Sequence, residues 1–265
     1  MTVEEIECKT ALSTSTLPGL TYSLNPYRGC QHNCAYCYAP NVLRVPREHW
    51  ADDLKVKKNI PLVLAQELKK KKPGVVGIST VTDPYQPLEE KYKLTRFCLE
   101  QLLQYDFPVH IQTKSALVIR DIDLLVRFSD SQVMLSIGTL HDNDRRLLEP
   151  HTSSIQERIT ALQKCAKAGL KTAVFFGPVY LTTSVNEIPG FLDIMKDAGV
   201  QEIWVDMLRL KPGVMENIQK TLTLDGEIAQ RFSKQMQKPM DHYRCIREEI
   251  RKQGKQRNLR ILDAF

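Results

Sequence analysis

Apolar strand-like segments alternate with helical segments from about residue 60 onward, and one further strand is indicated near residues 22–25. This order is typical of βα units, in which helices connect the strands of a parallel sheet. The predicted strands cover residues 22–25, 75–79, 109–112, 133–137, 172–176 and 203–206. Six strands are fewer than a closed barrel of the usual eight requires. The sequence therefore predicts an α/β fold, a partial (βα)6 TIM-like barrel with functional groups at the C-terminal ends of its strands.

The helices of these units are predicted from their start and stop signals. Pro61 predicts a helix start, and this helix is expected to continue through the lysines at 69–72 until Pro73 ends it. The other helices that connect the strands are predicted at residues 91–105, 121–128, 154–168 and 185–198.

A helical C-terminal extension is predicted after the Lys-Pro-Gly segment at 211–213. Tyr243, Ile246 and Ile250 recur at helical spacing and form an apolar stripe, so this helix is expected to pack on the barrel by one face. The predicted domains are a barrel domain of residues 1–210 and a basic helical extension of residues 211–265.

The net charge of +6 is concentrated in this extension. From Lys234 to Arg260, nine basic residues stand against three acidic ones, and 9 − 3 equals the +6 of the whole chain. Arg244, Arg247 and Arg251 recur at helical spacing, and such a face can bind nucleic-acid phosphates. A solvated helix face is the commoner meaning of a charge run. Both interpretations of this basic helix stay open.

Bulk composition is that of an ordinary globular protein, with 42% hydrophobic residues. The sequence contains no apolar run long enough for a membrane span, and its N-terminus lacks the order of a secretory signal. We therefore expect a cytoplasmic protein without a membrane partner. Seven cysteines, an odd number, argue against a secreted disulfide framework and favour a metal site in a reducing compartment.

Three of the cysteines lie in one short segment, Cys30-Gln-His-Asn-Cys34-Ala-Tyr-Cys37. This spacing lets a tight loop direct three thiolates toward a common centre, as iron–sulfur clusters require. Thiolates are soft ligands, so magnesium and calcium are excluded. Because three cysteines leave one iron of a four-iron cluster without a protein ligand, the segment predicts a [4Fe-4S] cluster with an open coordination position.

Zinc and a chance grouping of cysteines are the alternatives. Structural zinc needs a fourth ligand, and His32 lies inside the loop, where its ring cannot easily join the same tetrahedron. Chance grouping is disfavoured by Gly29 immediately before the first cysteine and by the aromatic residues around the third. The remaining cysteines are expected to be buried helix residues or bystanders without a ligand role: Cys8, Cys98, Cys165 and Cys245.

A resemblance to a known family is carried by two segments, Asn25-Pro26-Tyr27-Arg28-Gly29-Cys30 and Cys34-Ala35-Tyr36-Cys37-Tyr38-Ala39. They resemble the radical S-adenosyl-L-methionine (SAM) superfamily. Within it, the chain is similar to the branch that includes spore photoproduct lyase and relatives often labelled DNA repair photolyases. The resemblance covers roughly residues 21–181, and its other matching segments are residues 82–87, 112–115, 135–137, 148–150, 158–169 and 177–180.

The resemblance implies a [4Fe-4S] cluster and S-adenosyl-L-methionine as cofactors. In such enzymes the amino and carboxylate groups of SAM bind the open iron, and an electron from the reduced cluster breaks a carbon–sulfur bond. The 5′-deoxyadenosyl radical abstracts hydrogen from the substrate, while the protein positions and shields the cofactors. A reducing partner such as flavodoxin or ferredoxin is implied as well.

Several cofactor contacts are implied residue by residue. Tyr36 corresponds to the position whose ring and backbone approach the adenine, and Tyr38 lies in the same motif. Near Pro178 the backbone approaches the adenine, although Gly177-Pro178 could instead only end a strand.

The polar contacts implied by the resemblance follow predicted strands. Lys114, Thr82 and Ser136 correspond to groups that contact the carboxylate and ribose of SAM. A cationic group suits the carboxylate, whereas the alternative for Lys114 is a surface lysine. Asp83 belongs to the same predicted set, but it could instead cap the turn that begins at Pro84.

One position departs from the pattern of the branch. Aligned through Asp83, Thr80 stands where spore photoproduct lyase carries a cysteine that returns hydrogen to the product radical. An alcohol O–H bond is a far poorer hydrogen donor than a thiol. This difference favours a reaction other than thymine-dimer reversal.

The sequence thus predicts a lyase-like radical SAM enzyme that cleaves SAM reductively and abstracts hydrogen from an unidentified substrate. The alternative among enzymes is a DNA lesion lyase of the spore photoproduct type. The alternative from another class is a non-catalytic nucleic-acid-binding protein with a structural iron–sulfur cluster. Candidates for substrate contact are Tyr85, Arg145, Arg146 and His151.

Overall fold

A parallel sheet forms the centre of the computed structural model, which describes residues 1–264 of the chain. Within these residues the strands, in chain order, are β1 Thr2–Ile6, β2 Leu12–Thr14, β3 Tyr22–Leu24, β4 Tyr27–Arg28, β5 Asp53–Lys57, β6 Val76–Ile78, β7 Val109–Thr113, β8 Ser131–Ser136, β9 Lys171–Phe176, β10 Glu202–Val205 and β11 Arg260–Asp263. The main sheet has the order β11-β10-β9-β8-β7-β6-β3-β2.

The topology of the main sheet confirms the predicted fold class. Neighbouring strands from β3 through β6 to β11 are parallel, whereas β2 is antiparallel to β3. The predicted strands are confirmed as β3, β6, β7, β8, β9 and β10. In the described residues β2 and β11 are the edges of the sheet, so the barrel is partial. The C-terminal ends of β3 to β10 lie at one end of the barrel, which we call the barrel mouth.

The strand β11 is not predicted from the sequence. Arg260–Asp263 pairs in parallel with β10, with Ile261 opposite Ile203. Its two apolar residues are only partly buried and both ends are exposed, so the segment is too short and too polar to be recognised without its neighbour. The end of the chain thus returns to the barrel sheet, and the domain boundary after residue 210 stays a prediction.

Helices connect most of the parallel strands. Over residues 1–264 they are α1 Ala39–Leu43, α2 Ile60–Leu68, α3 Leu88–Tyr92, α4 Leu94–Leu103, α5 Ile122–Leu125, α6 Asp142–Leu148, α7 Ile155–Lys167, α8 Ile188–Asp197, α9 Val214–Leu222, α10 Gly226–Met236 and α11 Pro239–Gln256. The predicted helices at 154–168 and 185–198 correspond to α7 and to α8 with its short leading 3-10 turn.

The extents of other helices differ from the prediction. The helix α2 ends at Leu68, so the lysines at 69–72 follow it, and the segment predicted at 121–128 is helical only over α5. The predicted helix at 91–105 is divided into α3 and α4 at Lys93, whose φ is 52°. The Glu89 carboxylate accepts hydrogen bonds from the backbone N–H groups of Thr95 and Arg96. Because these groups lack partners at a helix start, Glu89 explains why α4 begins anew.

A second sheet holds both ends of the cysteine segment. Its order is β1-β5-β4, with β1 parallel and β4 antiparallel to β5. The strand β4 ends two residues before Cys30, and β5 begins at Asp53. Residues 29–52 therefore form a loop whose two ends are paired side by side.

The helices α9, α10 and α11 form the predicted helical extension. Tyr243, Ile246 and Ile250 are buried, which confirms the predicted apolar stripe, and α11 packs against α8 and β11. Among the helices of residues 1–264, none has the length and apolar character needed to cross a bilayer.

Candidate metal and cofactor site

The cysteine loop starts at a glycine that no other residue could replace without strain. Gly29 has a φ of +84°, and a Cβ there would lie 2.9 Å from Leu54 Cδ2 and 3.0 Å from the Trp50 carbonyl oxygen. Left-handed backbone and lack of space both favour glycine. The Thr82 hydroxyl donates a hydrogen bond to the Gly29 carbonyl at 2.6 Å. The loop is thereby fastened to the segment that follows β6.

Backbone hydrogen bonds hold the loop that carries Cys30, Cys34 and Cys37. The Cys37 N–H donates to the Cys34 carbonyl at 3.0 Å, which closes a tight turn. Ala35 N donates to the Leu148 carbonyl at 2.8 Å, so the loop is also tied to the end of α6. The backbone of the loop around Cys34 and Cys37 is therefore held by hydrogen bonds.

The three thiols share a poorly solvated environment. Burial raises the pKa of Cys30 to about 12, and it raises the pKa of Cys34 and Cys37 as well. Cys34 also experiences the charges of Cys30 and Cys37, which places the three sulfurs near one another. A bound metal deprotonates a coordinating thiol outright, so this burial does not prevent ligation.

The donor set fits an iron–sulfur cluster better than one metal ion. In residues 1–264, no group of three or more His, Cys, Asp or Glu side chains surrounds a single-ion position. Each thiolate of a cluster binds a different iron, whereas the ligands of zinc must converge on one tetrahedron. All seven cysteines are free thiols, so Cys30, Cys34 and Cys37 are available as soft ligands. These residues would hold the predicted cluster.

A buried ion pair lies next to the cysteine loop. Arg158 Nη2 is 2.6 Å from Glu149 Oε2, and both side chains are almost fully buried. Arg158 also donates to the carbonyl oxygens of Ser136 at 2.7 Å and Ser153 at 2.9 Å. Burial alone raises the pKa of Glu149, but Arg158 and Lys114 lower it overall. The carboxylate therefore stays ionised inside the protein.

The Glu149 carboxylate of this ion pair also holds the Tyr36 side chain in position. The Tyr36 hydroxyl donates to Glu149 Oε1, and its ring meets the Tyr180 ring edge-on with centroids 5.9 Å apart. Burial raises the pKa of both hydroxyls well above their usual value. Two neutral aromatic rings thus form a rigid wall in the barrel mouth.

Lys114 brings a further positive charge into the barrel mouth directly after β7. Its Nζ lies 5.8 Å from the Tyr36 ring centroid. Burial lowers its pKa, but Cys34, Glu149 and Asp83 more than offset this and leave the pKa raised. The ammonium group makes no hydrogen bond or ion pair with the described residues, so its N–H donors are free for an anionic ligand.

Both carboxylate oxygens of Asp83 accept hydrogen bonds from other groups of the protein. Its Oδ1 accepts from Thr113 Oγ1 at 2.6 Å and from the Tyr85 N–H at 2.9 Å, while Oδ2 accepts from the Lys114 N–H at 2.9 Å. Burial raises its pKa, but His32 and these hydrogen bonds dominate and lower it to about 2. The structure therefore supports the turn-capping interpretation, and a cofactor contact of Asp83 stays a prediction.

The other predicted cofactor contacts occupy different surroundings. Ser136 ends β8, is buried, and its hydroxyl accepts from Gln112 Nε2 at 3.4 Å. Pro178 follows β9 at the mouth. Thr82 uses its hydroxyl to hold the cysteine loop. Tyr38 is 46% exposed and lies outside the buried network. Contacts of these residues with SAM stay predictions.

The four candidates for substrate contact occupy different surroundings. Tyr85 is buried, and Arg145 is buried against Asp142 at 2.9 Å. Arg146 is exposed and pairs with the same carboxylate at 3.1 Å. His151 lines a cavity of about 600 Å³ between the cysteine loop and α9. Of the four, His151 is the one placed at an open cavity.

Three site residues carry no role in the sequence-based prediction: Glu149, Arg158 and Trp50. Arg158 lies on the buried face of α7, between Ile155 and Ile159 in the apolar stripe. An arginine inside such a stripe signals a buried partner, and this signal could have identified it. Nothing in the local sequence marks Trp50.

The C-terminal extension contacts the cysteine loop, and its arginines form ion pairs within the chain. Asn217 of α9 donates from Nδ2 to the Ala35 carbonyl at 2.7 Å. The arginines of the basic segment form ion pairs within the chain: Arg244–Asp241, Arg247–Asp263, Arg251–Asp263, Arg257–Asp193 and Arg260–Glu202. A nucleic-acid partner stays a prediction.

Comparisons with known proteins find sequence relatives of this chain. A family model described as Radical SAM superfamily matches residues 24–195. An uncharacterized protein of Methanocaldococcus jannaschii is 33% identical over 192 residues, which cover 72% of this chain and 69% of that protein. A radical SAM Nalpha-GlyT isomerase of Pseudomonas phage M6 is 28% identical over 156 residues, covering 58% of this chain and 32% of the phage protein.

The fold is also that of a solved structure. Spore photoproduct lyase complexed with dinucleoside spore photoproduct is similar with a TM-score of 0.70 and 15% identity, over 99% of this chain and 82% of that chain. At this identity the similarity establishes the shared architecture.

Proposed function

Because the chain belongs to the radical SAM superfamily, we propose that it is an enzyme that cleaves SAM reductively and abstracts hydrogen from a substrate. When bound, a [4Fe-4S] cluster and SAM supply the bond cleavage and the radical. The chain contributes Cys30, Cys34 and Cys37 as cluster ligands. A flavodoxin- or ferredoxin-type protein is the proposed electron donor.

The observation that carries this proposal is the unpaired Lys114 ammonium group. It lies within the electrostatic influence of Cys34 and Glu149 and over the Tyr36 ring. A cation without a partner at a partly buried position is costly unless an anionic group completes the site. The carboxylate of SAM is such a group, and it would lie beside the cysteine loop. A structural cluster alone would leave this cation without a role, which disfavours the non-catalytic alternative.

The surroundings of the cysteine loop also support radical chemistry, because buried aromatic side chains shield one side of the loop from water. Tyr36 and Tyr180 are buried, and α9 is bonded to the loop through Asn217. Exclusion of solvent protects a reactive intermediate from side reactions.

A DNA lesion lyase is the second candidate, and similarity to spore photoproduct lyase over 99% of this chain favours it. Thr80 weighs against it. Its N–H donates to Asn25 Oδ1 at 3.0 Å, and its hydroxyl cannot replace a hydrogen-donating thiol. We therefore rank hydrogen abstraction from another substrate above dimer reversal.

The test is SAM cleavage by the anaerobically reconstituted protein. Dithionite and SAM should yield 5′-deoxyadenosine, measured by liquid chromatography. Cys34→Ala should abolish the product and impair cluster assembly, since it removes one thiolate ligand. Cys245→Ala, which removes an exposed thiol, should leave both unchanged. A full cluster without cleavage would refute the enzyme assignment, and cleavage by Cys34→Ala would refute the ligand assignment.

A further inference from the structure

Trp50 is a buried polar side chain beside the cysteine loop. Its side chain is packed with Cys30 and Ala39, and Cys37 lies against the same group. Trp50 is 2% exposed, yet its indole Nε1 has no hydrogen-bond partner of ordinary geometry within residues 1–264. A buried N–H without a partner costs free energy, so this group calls for an explanation.

The Cys37 sulfur is the acceptor that this indole N–H can reach. Cys37 packs against the group formed by Trp50, Cys30 and Ala39, and the Trp50 side chain is close enough to the Cys37 thiol to act on it as a hydrogen-bond donor. Since indole offers one donor and no acceptor, that interaction is an approach of N–H to sulfur. A neutral thiol is a weak acceptor, which accounts for the loose geometry. A thiolate bound to iron carries more negative charge and would accept this hydrogen bond fully.

Hydrogen bonds of the Trp50 main chain hold this residue in place without involving its indole. The Trp50 N–H donates to the Arg47 carbonyl at 3.1 Å, and the Trp50 carbonyl accepts from the Cys30 N–H at 3.3 Å. Arg47 Nη1 in turn donates to the Cys37 carbonyl at 2.6 Å. These bonds connect Trp50 to two of the three ligand cysteines.

We propose that Trp50 is a positioning residue that donates an N–H···S hydrogen bond to the cluster-bound Cys37 thiolate and raises the reduction potential of the cluster. This inference rests on the proposed function. Reduction adds negative charge to the cluster, and the hydrogen bond stabilises the reduced state more than the oxidised one. Trp50 therefore sets how readily an external donor reduces the cluster.

The first experiment measures the midpoint potential by redox titration followed by electron paramagnetic resonance. Trp50→Phe keeps an aromatic ring of similar shape and removes the N–H, so its potential should become more negative. We expect about a tenfold change in the reduction equilibrium, which is about 59 mV for one electron. Trp204→Phe is the matched control, because the chain has two tryptophans and Trp204 lies on β10 beside Glu202. Its potential should equal that of the wild type.

The second experiment does not require Trp50→Phe to fold. Tryptophan labelled with ¹⁵N in the indole is incorporated into Trp204→Phe, so that the single label is at Trp50. Pulsed electron paramagnetic resonance of the reduced cluster should detect the ¹⁵N nucleus and an exchangeable proton that disappears in D₂O. A merely structural residue would give neither signal.

The outcomes separate this inference from the function on which it rests. A wild-type protein that assembles no [4Fe-4S] cluster, by iron content and absorbance, would overturn both. A cluster with the same potential in Trp50→Phe and the wild type would overturn the role of Trp50 and leave the proposed function intact. If Trp50→Phe assembles no cluster, the absence of ¹⁵N coupling in the labelled control overturns the inference, and its presence supports it.

Discussion

The barrel mouth and the helix α11 both concentrate charged residues, but they neutralise them in different ways. In the mouth, Glu149 and Arg158 form a fully buried pair, and Lys114 remains as an additional cation. On α11, Arg244 and Arg247 are 66% and 43% exposed and pair with aspartates of the same chain. The mouth therefore contains an unpaired cation that a ligand could bind, whereas the arginines on this face of α11 form ion pairs within the chain.

This difference indicates where ligand binding is to be sought. A buried pair is expensive to break, because the remaining charge stays without water. Exposed pairs contribute little, because water and salt screen them. A net positive charge in the sequence is thus a weaker guide to a binding site than one unpaired cation at a partly buried position.

The largest expected effect comes from breaking the buried pair. Arg158→Met should lower the free energy of unfolding by about 3–5 kcal/mol, because it leaves the Glu149 carboxylate buried and uncompensated. Urea titration followed by circular dichroism measures this. The double variant Arg158→Met/Glu149→Gln should recover part of the lost free energy of unfolding, because it removes the uncompensated carboxylate. If Arg158→Met lowers the free energy of unfolding by less than about 1 kcal/mol, the buried pair stabilises the protein no more than the exposed pairs of α11 do.

The next effect concerns the additional cation. Lys114→Met should weaken binding of SAM to the reconstituted protein by about tenfold or more, since a hydrogen bond to a charged group contributes about 1.5–3 kcal/mol. Calorimetric titration measures the affinity. Lys167→Met, at the exposed end of α7, is the matched control and should bind SAM as the wild type does. An unchanged affinity for SAM in Lys114→Met would show that this lysine has a structural role only.

The smallest effect is expected on α11. Replacement of Arg244, Arg247 and Arg251 by Gln should change the free energy of unfolding by only about 1 kcal/mol or less, because these pairs are exposed. The salt dependence of any DNA binding should also remain the same. If the slope of affinity against salt instead falls by about one unit per arginine, these residues contact phosphates and the DNA lyase alternative gains support.

The fold was largely predictable because its strands carry recognisable burial patterns. Strands buried on both sides appear in a sequence as short apolar runs, as in β6 and β9, whereas β7 alternates buried residues with more exposed ones. The edge strand β11 lacks this pattern. The break at Lys93 was missed because the Glu89 carboxylate that caps α4 acts through a side chain, and periodicity does not detect this.

The site was predictable only in part. The three cysteines of the predicted cluster site are four and three residues apart, so their grouping is a local property of the chain. Tyr36 and Glu149 are 113 residues apart, and their hydrogen bond exists only because the barrel brings two loops to the same mouth. Trp50 reaches Cys37 through the folding of the long loop between β4 and β5.

By itself, the sequence determined where the parallel strands lie along the chain and grouped three thiols in one loop, because hydrophobic runs and cysteine spacing act over short distances along the chain. The tertiary structure decided which charges are paired. Arg247 finds Asp263 on the returning strand β11, whereas Lys114 is left without an ion-pair partner in the described residues. Electrostatic pairing depends on distance in space, and the fold alone sets that distance.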